Sequence, residues 1–312
     1  MVFHVGQLRG VDLHLGSAGV DLFFVISGCV MWLVTAQRET TPGPFLARRF
    51  WRVAPLYWLI TLAGVAGALV WPHVYWDVHP TTAHVLKSLA FIPHYNPAGL
   101  PFPALAQGWT LNYEALFYGL FALALLLPRR VQFPAIGMTL TGLLLFGLSN
   151  APLYMLLANS LLLEFLAGMA LGRLLLTRRL PPARWGLALI ILSLIAFAAT
   201  WPVGEGDPGN WRSLAWGIPS VGLVAGALAI EAAGRWPAMP WLERLGDASY
   251  ALYLTQRLTV AGVGALLLGA PAPVALAAAF VASLAIGFAV HRLIEQPLLR
   301  LSGRVFRPRT TP

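Results

Sequence analysis

Of the chain's 312 residues, 58% are hydrophobic and only 11% are charged, with a net charge of +9. So few charges do not coat a soluble globule of this length, and charge-poor apolar runs long enough to cross a hydrocarbon core recur from end to end. The arginines sit in short connections between those runs, which points to membrane orientation and excludes a nucleic-acid-binding reading of the charge.

In chain order, the sequence opens with MVFHVGQLRG, which lacks the charged start and long apolar stretch of a cleavable signal peptide. Apolar spans follow at 19–36, 53–71, 109–127, 133–149, 155–176, 185–201, 213–231, 248–268 and 273–293. The expected class is all-α: a polytopic membrane helical bundle of about nine complete transmembrane helices. It forms one domain over 1–299 with a basic tail at 300–312. The connections after Trp32, Leu127, Leu176, Ile230 and Leu293 carry most of the arginines, whereas 5–18, 72–107 and 202–212 carry almost none. By the positive-inside rule the arginine-rich connections and the C-terminus face the cytoplasm. Nine spans then leave the N-terminus outside, where the short apolar start reads as the last turn of a first helix that lacks most of its length. The lone cysteine, Cys29, forms no intrachain disulfide.

Polar residues inside membrane spans are functional candidates by default. His4 has the side chain suited to a general base for a hydroxyl nucleophile, although a lone terminal histidine ordinarily has no such role. Asp21 and Ser27 lie in the run GVDLFFVISG, where they serve either cross-helix hydrogen bonds or simple packing. Arg48, Arg49 and Arg52 stand at the mouth of the second span. Arg49 and Arg52 are three apart and share a helix face, which suits phosphate chelation as well as topology signalling. The long segment 72–107 is rich in histidine, proline and aromatics, but its histidine spacings fit no compact metal motif, and no metal is expected. Trp109, Asn112, Tyr113 and Glu114 open the third span. Glu114 is placed to accept a proton, to pair with an arginine or to hold another buried polar group.

Further along, the pairs Gly168/Gly172 and Gly222/Gly226 favour close helix packing. Asp247 or Ser249 is a helix-cap candidate. Tyr250 and Tyr253 share a face of the eighth span, and Arg257 falls mid-span and needs a carboxylate, for which Glu164 is one option.

Seven stretches resemble the membrane-bound acyltransferase family 3, especially its exopolysaccharide and O-antigen acetyltransferase branch. They are FHV at 3–5, GVDLFFVISGCVM at 19–31, RRFWRVAPLYW at 48–58, GWTLNYEALFYGLFA at 108–122, FLAGMALGR at 165–173, GDASYALYLTQ at 246–256 and IEQP at 294–297. They run in the family's order across nearly the whole chain. The resemblance implies a ten-helix fold in the bacterial inner membrane. It also implies transfer of an acyl group, typically acetyl from acetyl-coenzyme A, to a hydroxyl of a glycan or lipid-linked sugar. His4 aligns with the family's essential histidine, Arg49 and Arg52 with its paired arginines, and Glu114 with its glutamate after the tryptophan. The family's first helix carries an arginine one helix-length before the histidine, in the segment missing here, and Gln256 stands where many relatives have histidine. The partners expected are therefore acyl-coenzyme A, a carbohydrate acceptor and membrane lipid. The rival readings are a transporter or flippase of lipid-linked sugars and a non-catalytic subunit of a polysaccharide assembly complex.

Overall fold

A computed structural model of the protein describes residues 18–37, 40–75, 77–146, 156–157, 159–200 and 212–305. Every regular element among them is helical. We number the α-helices α1 Gly19–Gln37, α2 Pro42–Val70, α3 Thr82–Leu89, α4 Trp109–Ala124, α5 Arg129–Phe146 and α6 Leu161–Leu176. Then come α7 Ala183–Ala199, α8 Ile218–Ala232, α9 Pro240–Asp247, α10 Ser249–Leu266, α11 Ala272–Val290 and α12 Gln296–Val305. The stretches Gly19–Ala36, Pro42–Val70, Ser213–Ala232 and Ala272–Leu301 are each long and apolar enough to cross a membrane, and Ala183–Ala199 is a shorter apolar helix. The chain is a helical, multi-pass membrane protein.

The helices group into two compact units. Of the described residues, the first holds Pro42–Gly119 and those from Met239 onward; the second holds those before Pro42 and Leu120–Ala238.

In the second unit the glycine spacings do what they imply. A Cβ on Gly168 of α6 would overlap the Val25 carbonyl of α1, and one on Gly28 of α1 would overlap the Phe165 carbonyl of α6. A Cβ on Gly172 would lie 3.0 Å from the Cys29 carbonyl oxygen. Only hydrogen at these positions lets the two backbones touch, so α1 and α6 pack along their length. Gly222 and Gly226 of α8 act likewise on α7: a Cβ on Gly222 would lie 2.5 Å from the Ser193 hydroxyl, and one on Gly226 would lie 2.5 Å from the Gly186 carbonyl oxygen. Phe24, Phe165, Met169 and Trp216 are fully enclosed in this unit.

In the first unit, α10 packs on α11, and α2 meets α10, α12 and the short α3. Tyr75 wedges between Gly67 of α2 and Gly262 of α10. Tyr57 and Trp58 of α2 hold the α3 segment by donating to the Ser88 and Leu89 carbonyls, at 3.2 and 2.8 Å.

Four elements differ from the sequence reading. First, α2 begins at Pro42, eleven residues before the expected span, because LARRFWR is good helix-forming sequence and proline suits a helix start. Arg48, Arg49 and Arg52 thus lie within the helix, not at its mouth. Second, the expected span 155–176 is interrupted. Asn159 accepts the Leu161 amide through its side chain at 3.0 Å, and α6 starts only at Leu161. Third, α11 does not stop at its expected end. It runs through a π-helical turn at His291–Glu295 into α12, which accommodates Pro297. Fourth, neither Asp247 nor Ser249 caps α10. Asp247 ends α9, and the cap position is Ala248, without a side-chain hydrogen bond. The last residues of span 133–149, parts of 155–176 and the end of 185–201 lie outside the described residues.

Candidate active site

The first unit gathers most of the expected site residues. Glu114 stands one turn into α4 and is buried. Its carboxylate accepts a hydrogen bond at 2.5 Å from Tyr118, four residues on along the same helix. The Tyr118 ring stands edge-on to Phe45 of α2, with centroids 6.3 Å apart. Arg49 sits one turn beyond Phe45, its guanidinium carbon 5.9 Å from that ring's centre and within electrostatic range of Glu114 and Tyr118. Tyr250, near the start of α10, donates at 2.8 Å to the Val53 carbonyl of α2, and it too senses Glu114 and Tyr118. One carboxylate, two phenols and one guanidinium therefore share a neighbourhood built by α2, α4 and α10. Arg48 and Arg52 are exposed on α2, and Arg49 is half-buried between them.

Tyr253 lies one turn further along α10. It donates to the Gln107 carbonyl at 2.9 Å and meets the Thr110 hydroxyl at 3.0 Å. Trp109 stacks edge-on with Tyr113, centroids 5.7 Å apart; Tyr113 is buried and Asn112 half-buried. Arg257 meets Asp77, not Glu164, with its Nε donating at 2.7 Å to that carboxylate. The segment following α2 returns its one aspartate to α10, a pairing of residues 180 apart that no spacing reveals.

Asp21 and Ser27 belong to the second unit. Asp21 is fully buried and chelated by Arg212 through contacts of 2.7 and 3.3 Å. The Arg212 guanidinium lies 4.8 Å from the centre of the Trp216 ring. Glu164 adjoins this pair, its carboxylate pressed against Gly217, where a Cβ would come within 2.7 Å of Oε1. Ser27 is buried on α1. His4 lies outside the described residues.

The sequence reading missed several residues. Gln107 is buried, and among the described residues neither of its side-chain amide atoms has a partner, beside the Tyr253 and Thr110 contacts. His291 donates from Nδ1 to Glu295 at 2.7 Å inside the π-helical turn. His84 and His94 join through Nδ1 and Nε2 at 2.6 Å, and His94 Nδ1 lies 2.7 Å from the Ile92 carbonyl. Burial, then the neighbouring His94 and His79, push His84 down to about 4. For Tyr118 and Glu295 a signal existed: each lies four residues from the polar group it binds. For Gln107 and the histidine pair there was none. Among the described residues no three metal-ligating side chains converge.

The model of the acyltransferase domain of acyltransferase family 3 matches residues 2–292. The chain belongs to this family. It is an acyltransferase. The exopolysaccharide production protein ExoZ of Rhizobium meliloti (strain 1021) is 39% identical over 313 aligned residues, covering 98% of this chain and 96% of that protein. The acyltransferase MdmB of Streptomyces mycarofaciens is 26% identical, covering 93% of this chain and 82% of that protein. No solved structure matches the chain significantly.

Proposed function

We propose that this acyltransferase moves an acetyl group from acetyl-coenzyme A to a hydroxyl of an exopolysaccharide or of its lipid-linked precursor, in the inner membrane with its C-terminus in the cytoplasm. The observation that carries the acceptor class is the end-to-end similarity to a protein named for exopolysaccharide production.

A sugar hydroxyl is far too weakly acidic to attack a thioester unaided at neutral pH. His4, as neutral imidazole, takes the hydroxyl proton while the oxygen bonds to the thioester carbonyl carbon. The carbon–sulfur bond breaks, the thiolate leaves and takes up a proton, and the products are a sugar ester and coenzyme A. Arg48, Arg49 and Arg52 hold the donor's phosphates through forked hydrogen bonds. Glu114, held by Tyr118, orients the reacting groups; its buried carboxylate beside Arg49 supports that role. The extension of α2 down to Pro42 supports the same reading, because it sets the three arginines on one rigid helix that also contributes Val53 to the Tyr250 contact. Asp21 and Ser27 serve the fold.

The test uses the full chain in lipid nanodiscs with acetyl-coenzyme A labelled in its acetyl group and a chemically deacetylated exopolysaccharide. Label entering the glycan in step with thiol release, and lost in His4→Ala, is the expected result. Thiol release without label in any glycan overturns the acceptor class, and unreduced transfer by His4→Ala overturns the assignment of the base.

A further inference from the structure

The second unit carries another concentration of positive charge, and none of the described residues assigned to acyl transfer lines it. A cavity of about 260 Å³ is lined by Trp32, Arg129, Arg130, Phe133, Arg173 and the Leu176–Thr177 end of α6. It forms where the last turns of α1 and α6 meet the first turn of α5.

The three arginines are not equivalent. Arg129 belongs to the fold: its guanidinium carbon lies 3.6 Å from the centre of the Trp32 ring. It donates to the Trp32 carbonyl at 3.0 Å, to Thr35 at 3.2 Å and to Gln132 at 2.9 Å. Arg173 lies 5.5 Å from the centre of the Phe133 ring, and Arg130 sits on the exposed side of α5. Among the described residues no Asp or Glu lines the cavity, and neither Arg130 nor Arg173 meets a carboxylate.

Guanidiniums without counter-charge above an aromatic floor select a ligand with an anionic head and an apolar body. Guanidinium forks match the oxygens of a phosphate ester. The cavity is smaller than the ~300–1,000 Å³ sites that enclose a drug-sized molecule, so it takes a headgroup and not a whole coenzyme. Its place at the arginine-rich ends of membrane helices sets it at the level of lipid phosphates, where basic pockets between helices recognise anionic headgroups. We propose that this cavity binds the phosphate of an anionic phospholipid, with Arg130 and Arg173 on the phosphate and Phe133 against the glycerol and first acyl carbons. The nucleotide end of a coenzyme carries the same phosphate ester chemistry and is the competing source.

The experiment titrates the purified full chain, in a zwitterionic detergent, with phosphatidylglycerol, phosphatidylcholine or adenosine 3′,5′-bisphosphate. Retained ligand is read by native mass spectrometry and the thermal midpoint by fluorescence. Phosphatidylglycerol is expected to be retained over phosphatidylcholine and to raise the midpoint. The variant Arg130→Gln/Arg173→Gln weakens that retention by roughly tenfold or more. Its ligand-free midpoint stays unchanged, because neither side chain anchors the fold. Equal retention of the two lipids, or undiminished retention in the variant, overturns the proposal. Binding of the bisphosphate alone, lost in the variant, overturns the lipid as occupant and assigns the phosphate site to a nucleotide.

Discussion

Two buried carboxylates, each near the start of a membrane helix, meet different surroundings. Asp21, in the second unit, is closed off: it is fully buried, bound by the Arg212 guanidinium, and set among helices whose backbones touch through Gly28, Gly168 and Gly172. Glu114, in the first unit, accepts from a phenol, and the guanidinium within its electrostatic range belongs to a helix that also exposes two further arginines. A chelated carboxylate in tight packing holds a fold together. A carboxylate that accepts from a phenol, with arginines on the neighbouring helix, suits the catalytic role proposed for Glu114. Substitutions in the second unit should therefore be read in stability and those at Glu114 in turnover.

The largest effect is expected from Asp21→Asn. Asparagine removes the charge that Arg212 chelates and leaves only the adjoining Glu164 carboxylate beside it; breaking a buried pair costs about 3–5 kcal/mol. Thermal unfolding in detergent should show a large drop in midpoint, with residual activity tracking the folded fraction. Gly168→Ala follows: its Cβ overlaps a backbone carbonyl that no side-chain rotation relieves, and overpacking of this kind costs about 1–3 kcal/mol. A variant with an unchanged midpoint would show that α1 and α6 are not in backbone contact.

A smaller, local effect concerns the histidine pair in the first unit. His84 titrates at about 4 in the folded chain against 6.5 ordinarily, so the unfolded segment binds more protons between those values. Its stabilisation is complete above pH 6.5 and is lost as pH falls toward 4. Hydrogen exchange across 82–104 should accelerate in that window in the wild type, and the pH dependence should flatten in His84→Gln.

Much of this contrast was legible in the residues, and the limits of legibility are physical. The spacing of Gly168 and Gly172 announced a close helix contact, but only the fold identifies Gly28 as its counterpart. Asp21 and Glu114 both read as membrane carboxylates, yet Arg212 lies 191 residues from Asp21 and no periodicity links them. Arg257 was expected to need a carboxylate and has one, but Asp77 comes from a segment whose composition suggested only a loop. The arginines of α2 broke the hydropathy pattern and hid a helix start, because hydropathy reads charge and not the backbone, whose hydrogen bonds continue through Arg49 and Arg52. Motif order, by contrast, read the family correctly from end to end.

The most direct test is acetyl transfer per folded molecule by Glu114→Gln, which keeps an acceptor for the Tyr118 hydroxyl and changes only the charge. A stability within about 1 kcal/mol of wild type with transfer reduced on the order of 100-fold is the result expected of a catalytic-site carboxylate. Full transfer per folded molecule, or a collapse in stability like that of Asp21→Asn, would contradict the account and make Glu114 a structural residue.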